Sequence, residues 1–203
     1  MSTPPIALAA VVVAFFVGAI PFGVLVSRAF YGTDIRDAGS GNIGAANALR
    51  TLGRRGAIAV LALDALKGFA PVLAAGALGG PLPAVLAAVA SVAGHCWSPF
   101  LGFKGGKGVA TFLGAVIALW WPAGIAFALV WAAVVLACGY ASVGSMLAAL
   151  AMAPVLWFGL GTSGLACGLV SALLIIYRHR ENLDRLRRGT ENRLSLLKAG
   201  RQS

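Results

Sequence analysis

The sequence predicts an all-α integral membrane protein, a single domain over residues 1–203 built as a bundle of seven transmembrane helices. Hydrophobic residues make up 60% of the chain and charged residues only 11%, whereas soluble domains carry about 25% charged residues. A further observation is that the Lys and Arg residues between apolar segments cluster in some of the connections and are absent from others. These observations together predict that most of the chain lies inside a lipid bilayer.

The first apolar segment covers residues 6–30. No basic residue precedes it, and it is longer than the apolar core of a signal peptide. A helix needs roughly 20 residues to cross a bilayer. We therefore expect this segment to be the first transmembrane helix.

Six further apolar segments follow along the chain. They cover residues 56–79, 82–97, 108–121, 122–138, 142–159 and 162–178. The last four come from one long apolar tract, divided at Trp121-Pro122, at Gly139-Tyr140 and at Gly161-Thr162. Turn-forming or polar residues interrupt the tract at these points.

The basic residues predict the direction of each crossing. They lie in the first connection, in the third connection and in the tail that begins at Arg178, while the second, fourth and sixth connections carry none. With seven crossings, all the basic segments share one side, which the positive-inside rule makes cytoplasmic. An even number would separate the tail from the third connection. We therefore expect an outside N-terminus and a cytoplasmic C-terminus.

The net charge of +10 is compatible with nucleic-acid binding, but the basic residues flank apolar segments. Membrane topology and anionic headgroups or substrates explain this pattern better, so no nucleic-acid partner is predicted. Cys96, Cys138 and Cys167 have neither metal-site nor disulfide spacing. We expect no metal and no cofactor.

Two charged residues lie inside the second apolar segment. Asp64 and Lys67 are three residues apart and share one helix face, which predicts a buried ion pair that joins two helices. The pair also has the alternative role of bracing a functional site. Gly164 and Gly168, in a small-xxx-small pattern, predict close helix packing.

The first polar cluster runs from Gly39 to Arg50. Its small residues let the backbone approach an anion, its Ser and Asn side chains supply directed hydrogen bonds, and its arginine supplies a planar fork. The candidate binding residues are Ser40, Gly41, Asn42, Asn47 and Arg50. The alternative is an ordinary glycine-rich loop that caps a helix.

The second cluster is the run from Phe103 to Gly108, two lysines among glycines between apolar segments. Lysine beside hydrocarbon is costly, and glycine exposes backbone N–H groups, so the run predicts a binding site for an anion such as phosphate. Its candidate residues are Lys104, Gly105, Gly106, Lys107 and Gly108. The spacing differs from a Walker A loop, and the alternative is a topology signal alone. His95, upstream, is expected to form a structural hydrogen bond.

Two weaker clusters complete the predicted cytoplasmic side. Ser142 and Ser145 follow Tyr140, although hydroxyls often bond back to their own helix. His179 and Asn182 offer neutral donors and acceptors in the basic tail. His179 and Asp184 also match the H-x4-D spacing of acyltransferases that use thioester donors. On a continuous helix these two residues point about 140° apart, so we interpret the match as accidental.

In combination, the motifs resemble a known family. They are S-G-N-I-G-A-A-N with Arg50, D-A-L-K-G, G-H-C-W-S-P-F-L-G-F-K-G-G-K-G-V-A-T, Y-A-S-V-G-S and Y-R-H-R-E-N-L-x-R-L. The chain from about Ile20 to Arg193 is similar to the bacterial acyl-phosphate:glycerol-3-phosphate acyltransferases, the PlsY family. Ala46, where a threonine is common, and Cys138-Gly139, where a basic residue is usual, depart from the family pattern.

The resemblance implies a multi-pass enzyme of the bacterial inner (plasma) membrane, with seven helices and a cytoplasmic active site. Its substrates would be acyl phosphate and sn-glycerol 3-phosphate, and membrane lipid would surround it. The acyl group would pass to the sn-1 hydroxyl, giving lysophosphatidic acid and phosphate. The acyl chain would lie between helices, open to the inner leaflet.

These substrates suggest a role for each candidate residue. Lys104, Lys107 and the Gly105–Gly108 backbone would bind phosphate, and Arg50 with the Ser40–Asn42 loop would complete an electropositive floor. Ser145, His179 and Asn182 would orient glycerol phosphate or the developing oxyanion. The proton acceptor would be a substrate phosphate or, in the competing interpretation, His179. A transporter of phosphate compounds and an acyltransferase with a thioester donor are the alternative functions.

Overall fold

A computed structural model describes residues 4–194 of the chain. Within these residues there are nine α-helices and no strand. The helices are α1 (Pro4–Ala19), α2 (Phe22–Tyr31), α3 (Ala45–Thr51), α4 (Gly53–Gly79), α5 (Pro81–Cys96), α6 (Val109–Leu119), α7 (Trp121–Cys138), α8 (Ala141–Arg178) and α9 (Arg180–Arg187). The all-α prediction is confirmed. The two chain ends, which carry the N-terminal topology prediction and the last basic residues of the tail, lie outside the described residues.

Several helical stretches are long and apolar enough to cross a membrane. Among the described residues they are Ala7–Tyr31, Gly53–Gly79, Pro81–Leu101, Trp121–Cys138 and Ala141–Arg178. Helix α6 is also apolar but has only 11 residues. The positions of these stretches agree with the predicted apolar segments. The number of crossings and their direction remain predictions.

Helix α8 consists of two antiparallel arms joined at Gly161. The backbone there leaves the helical region, with φ 66° and ψ −150°, a conformation open essentially to glycine. Gly168 packs directly against the backbone of Ala153, and Gly164 against that of Leu156. Ala153 and Gly168 would be about 22 Å apart on a straight helix. The predicted division at Gly161 and the predicted close packing of Gly164 and Gly168 are therefore confirmed.

The first predicted helix, residues 6–30, is bent rather than continuous. Pro21 lacks an N–H and disfavours helical conformation at Ile20, so α1 ends and α2 begins at this point. The carbonyl of Ala19 accepts a hydrogen bond of 2.6 Å from the Ser98 hydroxyl. The carbonyl of Ile20 accepts one of 2.7 Å from the Lys67 ammonium. Side chains of later segments thus satisfy carbonyls at the bend.

Glycines bring two pairs of helices into close contact. Gly18 of α1 and Gly94 of α5 each lie against the backbone of the opposite helix, and Gly68 of α4 and Gly114 of α6 do the same. A side chain at any of these positions would collide with the facing backbone. Small residues at such crossings are typical of membrane bundles, where close van der Waals packing drives association.

The predicted ion pair inside α4 is confirmed. The Lys67 ammonium lies 2.8 Å from a carboxylate oxygen of Asp64, and both side chains are buried. Because Lys67 also donates to Ile20, the pair joins α4 to the bend between α1 and α2. The Nδ1 atom of His95, on α5, lies 3.8 Å from the same Asp64 oxygen. The opposite charges of Asp64 and Lys67 compensate each other, which is what makes ionic groups tolerable in a membrane interior.

Candidate active site

A cavity of about 500 Å³ lies where α3, α4, α6, α7, α8 and α9 meet. Residues of all four predicted polar clusters line it. The predicted site residues on its wall are Ser40, Asn42, Asn47, Arg50, Lys107, Gly108, Ser142, Ser145, His179 and Asn182. Clusters separated along the sequence thus converge on one cavity.

The cavity has an apolar part as well as a polar one. Ile58 and Leu61 of α4, Leu113 of α6, and Phe127 and Trp131 of α7 line it. Ile58 is 66% exposed and Leu61 is 44% exposed, although both belong to the cavity wall. The apolar part is therefore open at the outer surface of the bundle, on the face that lipid would cover.

Asn47 anchors the first polar loop. Its side-chain oxygen accepts a hydrogen bond from the backbone N–H of Ser40 at 2.8 Å. Its amide nitrogen donates to the carbonyls of Ile35, Ala38 and Asn42 at 3.0, 3.1 and 2.9 Å. Asn47 is buried, and its polar atoms bind the backbone of its own loop. The structure therefore supports a positioning role for Asn47 in its loop, and its direct hydrogen bond to substrate stays a prediction.

The other residues of this loop divide between the cavity and the loop itself. The side-chain oxygen of Asn42 accepts from the N–H of Gly44 at 2.9 Å, at the residue that caps the start of α3. Ser40, Asn42 and Arg50 line the cavity, whereas Gly41 lies outside its wall. The helix-capping interpretation and the binding interpretation of this cluster are thus compatible.

Lys107 is the lysine of the glycine-rich run that reaches the cavity. Its ammonium donates a hydrogen bond to the side-chain oxygen of Asn182. Burial lowers the pKa of Lys107 to about 8, and the nearby positive charge of Arg185 lowers it further in the same direction. Lys104, by contrast, is exposed and lies outside the cavity wall. The structure therefore does not bring Lys104 into the predicted phosphate cradle.

Gly105 and Gly106 lie outside the cavity wall, and the N–H of Gly106 has a partner within the protein rather than facing an anion as predicted. The N–H of Gly106 donates to the carbonyl of His95 at 3.0 Å. The guanidinium of Arg178 donates to the carbonyls of Gly105 and Gly106 at 2.7 and 3.0 Å. A side chain at position 106 would collide with the His95 ring. These two glycines thus pack the loop against α5, while Gly108 and the first turn of α6 line the cavity.

A buried carboxylate connects the other polar residues of the cavity. Glu191 accepts hydrogen bonds from the Ser142 hydroxyl at 2.8 Å, the Asn182 amide at 2.6 Å and the Arg185 guanidinium at 2.7 Å. Its side chain is 5% exposed. Burial alone would raise the pKa of Glu191, but these hydrogen bonds outweigh it and lower the pKa below its usual value. Glu191 therefore fixes the start of α8 and two residues of α9 around one charge.

Ser145 bonds back to its own helix, as the alternative interpretation allowed. Its hydroxyl donates to the carbonyl of Ala141 at 2.7 Å and accepts from the Trp131 indole N–H at 3.2 Å. The side chain still lines the cavity. Trp131 thus connects the polar end of the cavity to its apolar wall.

His179 lies at the junction between α8 and α9, since its backbone departs from the helix between Arg178 and Arg180. Its Nδ1 atom lies 2.8 Å from the carbonyl of Ile175. A carbonyl accepts only from a protonated nitrogen, so the neutral ring carries its proton on Nδ1 and has a free acceptor at Nε2. Burial lowers the pKa of His179 to about 4, and the charge of Lys107 contributes to the decrease.

Asp184 does not complete an H-x4-D pair with His179. Its carboxylate lies 3.1 Å from the guanidinium of Arg188 and is 54% exposed, whereas the Nδ1 of His179 binds Ile175. His179 caps helix α9, which carries Asp184, and its carbonyl accepts from the Leu183 N–H. The conclusion that the spacing is accidental agrees with these contacts.

Four further residues belong to the site or its support without having been predicted as site residues: Glu191, Arg185 and Arg178, which lie in the predicted polar and basic tail, and Trp131. For Glu191 a signal existed, since it is one of three carboxylates in a basic tail and lies two residues after the turn-forming Gly189. The three others read as topology markers or lipid-facing residues. Among the described residues, no group of His, Cys, Asp and Glu side chains could hold a metal ion. The polar wall of the cavity carries arginine, lysine and neutral side chains together with the paired carboxylates of Asp64 and Glu191.

Comparison with known proteins gives consistent results. A family profile described as glycerol-3-phosphate acyltransferase matches residues 8–189. A glycerol-3-phosphate acyltransferase of a Bradyrhizobium species is 44% identical over 93% of this chain and 96% of its own length. The protein of the same description from Cereibacter sphaeroides is 48% identical over 90% of this chain and 87% of its own length.

Solved structures give the same result. The chain is similar to the crystal structure of PlsY, an integral membrane glycerol 3-phosphate acyltransferase, in its glycerol 3-phosphate form. The TM-score is 0.90, with 40% identity over 97% of this chain and 99% of that one. A lysophosphatidic acid form of PlsY gives a TM-score of 0.85, with 39% identity over 92% of this chain and 94% of that one.

Proposed function

Because this chain belongs to the PlsY family of integral membrane glycerol-3-phosphate acyltransferases, we propose that its acyl donor is an acyl phosphate and its acceptor the sn-1 hydroxyl of sn-glycerol 3-phosphate. The products are lysophosphatidic acid and inorganic phosphate. The observation that carries the proposal is the convergence of Lys107, Arg50 and Arg185 on a cavity whose other wall is apolar. Such a cavity suits two phosphates and an acyl chain.

The electrostatics of the wall favour anionic ligands. Each lining carboxylate already has a cationic partner, since Asp64 pairs with Lys67 and Glu191 with Arg185. Lys107 donates to the neutral Asn182, so its charge is not neutralised by a direct carboxylate partner. A partly dehydrated ammonium of this kind forms strong hydrogen bonds to phosphate oxygens.

In the proposed reaction the sn-1 hydroxyl oxygen attacks the acyl carbonyl carbon. The new ester C–O bond forms, the bond between the carbonyl carbon and the phosphate oxygen breaks, and phosphate leaves with the bonding electron pair. The hydroxyl proton passes to an oxygen of a substrate phosphate. Because the donor is already activated, the enzyme contributes mainly proximity and charge stabilisation.

Each residue has a corresponding role in this proposal. Lys107 binds a phosphate, with Arg50, Ser40 and Asn42 extending the cationic and polar surface around it. His179 orients the attacking hydroxyl, since its free Nε2 accepts a hydrogen bond, and Asn182 and Ser145 complete the polar wall. A thioester donor is disfavoured because its usual carboxylate, Asp184, pairs with Arg188 instead.

We also propose the finer topology: seven crossings, an outside N-terminus and a cytoplasmic C-terminus, in the bacterial inner membrane. The reversal at Gly161 supports counting two crossings in Ala141–Arg178. Basic residues in the connections around the cavity support a cytoplasmic site. Glycerol 3-phosphate would then enter from the cytoplasm and the acyl chain from the lipid side, past Ile58 and Leu61.

A donor assay tests the function. The purified full chain in detergent is given sn-glycerol 3-phosphate with acyl phosphate, acyl-CoA or acyl carrier protein thioester in separate reactions. We expect lysophosphatidic acid and inorganic phosphate in equal amounts with acyl phosphate, and no product with either thioester. Product from a thioester alone would overturn the proposed donor. Regioisomer analysis by mass spectrometry then tests the sn-1 position.

A further inference from the structure

Arg178 binds the backbone of a loop that lies far from it in the sequence. It is the last residue of α8, and its Nη2 and Nε atoms donate to the carbonyls of Gly105 and Gly106 at 2.7 and 3.0 Å. Two bonds from one planar guanidinium to consecutive carbonyls fix both position and orientation, which a lysine ammonium does less well. Arg178 therefore constrains the peptide just before Lys107.

The other side of the loop is held by the end of α5. The N–H of Gly106 donates to the carbonyl of His95. Two residues further on, the Trp97 ring lies under the Arg178 guanidinium, with 5.7 Å between the guanidinium carbon and the ring centroid. Trp97 in turn stacks on Tyr177 at 6.2 Å. The loop is thus held between α5 and α8, and an aromatic ring supports the arginine that holds it.

This arrangement determines where the side chain of Lys107 lies. Glycine has the widest backbone freedom of any residue, so the pair before Lys107 does not by itself direct the lysine toward the cavity. Lys107 nevertheless meets Asn182, and Arg178 directly precedes His179. Two consecutive residues therefore serve the site: His179 lines the cavity, and Arg178 fixes the backbone that precedes Lys107.

We propose that Arg178 is a positioning residue for the acyl transfer: it fixes the Gly105–Gly106 backbone so that the Lys107 ammonium lies at the cavity beside Asn182. Arg178 itself does not line the cavity and acts through Lys107. The inference deepens the proposed function, because it rests on Lys107 binding a substrate phosphate. It does not depend on which acyl donor the enzyme uses.

Kinetics of matched arginine variants test the inference. Arg178→Gln removes the charge and the bidentate fork, and we expect kcat/KM to fall about 10²-fold, the scale of a misplacement of about 1 Å. Because the phosphate contact is affected, much of the loss should appear as a higher KM for glycerol 3-phosphate. Arg178→Lys should recover part of the rate. Arg180→Gln is the control, since Arg180 is exposed, lies over the Tyr177 ring and makes no contact with the Gly105–Gly106 carbonyls that Arg178 binds; it should behave as wild type.

A double-variant measurement separates positioning from a general structural effect. Glycerol 3-phosphate affinity is measured by calorimetry for Arg178→Gln, Lys107→Ala and the double variant. We expect each single variant to bind more weakly and the double variant to bind no more weakly than Lys107→Ala. Losses that simply add, or wild-type kinetics for Arg178→Gln, would overturn the proposal.

Two safeguards keep the result interpretable. If Arg178→Gln does not fold, Arg178→Lys carries the same comparison, with thermal unfolding as the check on both. If the wild type turns out to use a thioester, the proposed function fails, but the coupling between Arg178 and Lys107 is still measured by calorimetry.

Discussion

Lys107 and Asn182 are 75 positions apart in the sequence, and the ammonium of the first donates a hydrogen bond to the side-chain oxygen of the second. The Asn182 amide in turn donates to the Glu191 carboxylate, which also accepts hydrogen bonds from Ser142 and Arg185. A cationic side chain from the connection before α6 is thus joined to both ends of the α8–α9 segment.

The two lysines of the glycine-rich run should differ in importance. Lys107→Ala should lower the rate of lysophosphatidic acid formation at least about 10²-fold, since a charge-assisted bond is worth roughly 1.5–3 kcal/mol and more where water is excluded. Lys107→Arg should restore little, because the fork needs more space than an ammonium. Lys104→Ala should keep most of the activity, since Lys104 is exposed outside the cavity. Equal losses for the two alanine variants, at matched expression, would contradict this.

Lys107 should also set an alkaline limit on substrate binding. Its pKa is lowered to about 8, so its charge is present below that pH and is lost as the pH rises through it. We expect the KM for glycerol 3-phosphate to rise above about pH 8 in the wild type. In Lys107→Arg, whose guanidinium stays charged, this rise should be absent. A wild-type KM that is flat from pH 7 to 9.5 would disagree with the prediction.

His179 should act by orienting a hydroxyl. His179→Gln should keep measurable turnover, because the amide preserves a hydrogen bond, and Asp184→Asn should be close to neutral, because Asp184 pairs with Arg188. Since the pKa of His179 is lowered to about 4, the ring stays neutral from pH 5.5 to 8. The pH profiles of the wild type and His179→Gln should therefore have the same shape in this range.

The competing interpretation makes His179 the general base. It predicts a loss of about 10²–10⁴-fold in His179→Gln together with the disappearance of an acidic limb. Loss of activity in both His179→Gln and Asp184→Asn would support the H-x4-D mechanism instead. Steady-state rates measured across the pH range, with the donor held saturating, distinguish these results.

Glu191→Gln should destabilise the protein. The carboxylate accepts three hydrogen bonds, one of them from a guanidinium, and bonds to charged groups contribute about 1.5–3 kcal/mol. Because the folded-state pKa is below the usual value, the stabilisation is present above about pH 4.3 and is lost as the pH falls further. The difference in Tm from wild type should therefore shrink on acidification. Glu181→Gln, on the neighbouring helix α9, is the control, and an equal effect there would count against the network.

Topology can be tested by cysteine labelling after the native cysteines are replaced. Cysteines at Ser2 and Leu82 should react with an impermeant reagent in intact cells, because both positions are predicted to lie outside. Cysteines at Thr33 and Ser203 should react only after permeabilisation. Labelling of positions 2 and 203 from the same side would rule out an odd number of crossings.

The apolar helices were predictable because length and hydropathy determine which segments can span a bilayer. The Gly161 reversal was predictable for the same reason, since a helix as long as Ala141–Arg178 would exceed one crossing. The bend at Pro21 was missed although proline is a helix breaker, because the apolar run continues past it. Helices α3 and α9 are too short to span a bilayer, so hydropathy did not indicate them.

The candidate site was predictable to the level of its clusters, because sidedness places them at one membrane face. The sequence did not indicate which side chain of each cluster reaches the cavity. Lys104 and Lys107 look equivalent in sequence, and the packing of Gly106 on His95 decides between them. Asn47 looks like a ligand, but the path of its own loop uses its hydrogen-bonding atoms.

The bend between α1 and α2 has a consequence for biogenesis. The break at Pro21 ends the helical bonding of α1, so the carbonyl of Ala19 receives the Ser98 hydroxyl, and that of Ile20 receives the Lys67 ammonium in addition to the Phe22 N–H. Both side-chain donors leave the ribosome long after Pro21 does. An unpaired carbonyl in hydrocarbon is expensive, so the nascent first segment must stay near water, the insertion machinery or another polar partner until α4 and α5 arrive. The earliest part of the chain to be synthesised would thus be among the last to reach its final conformation.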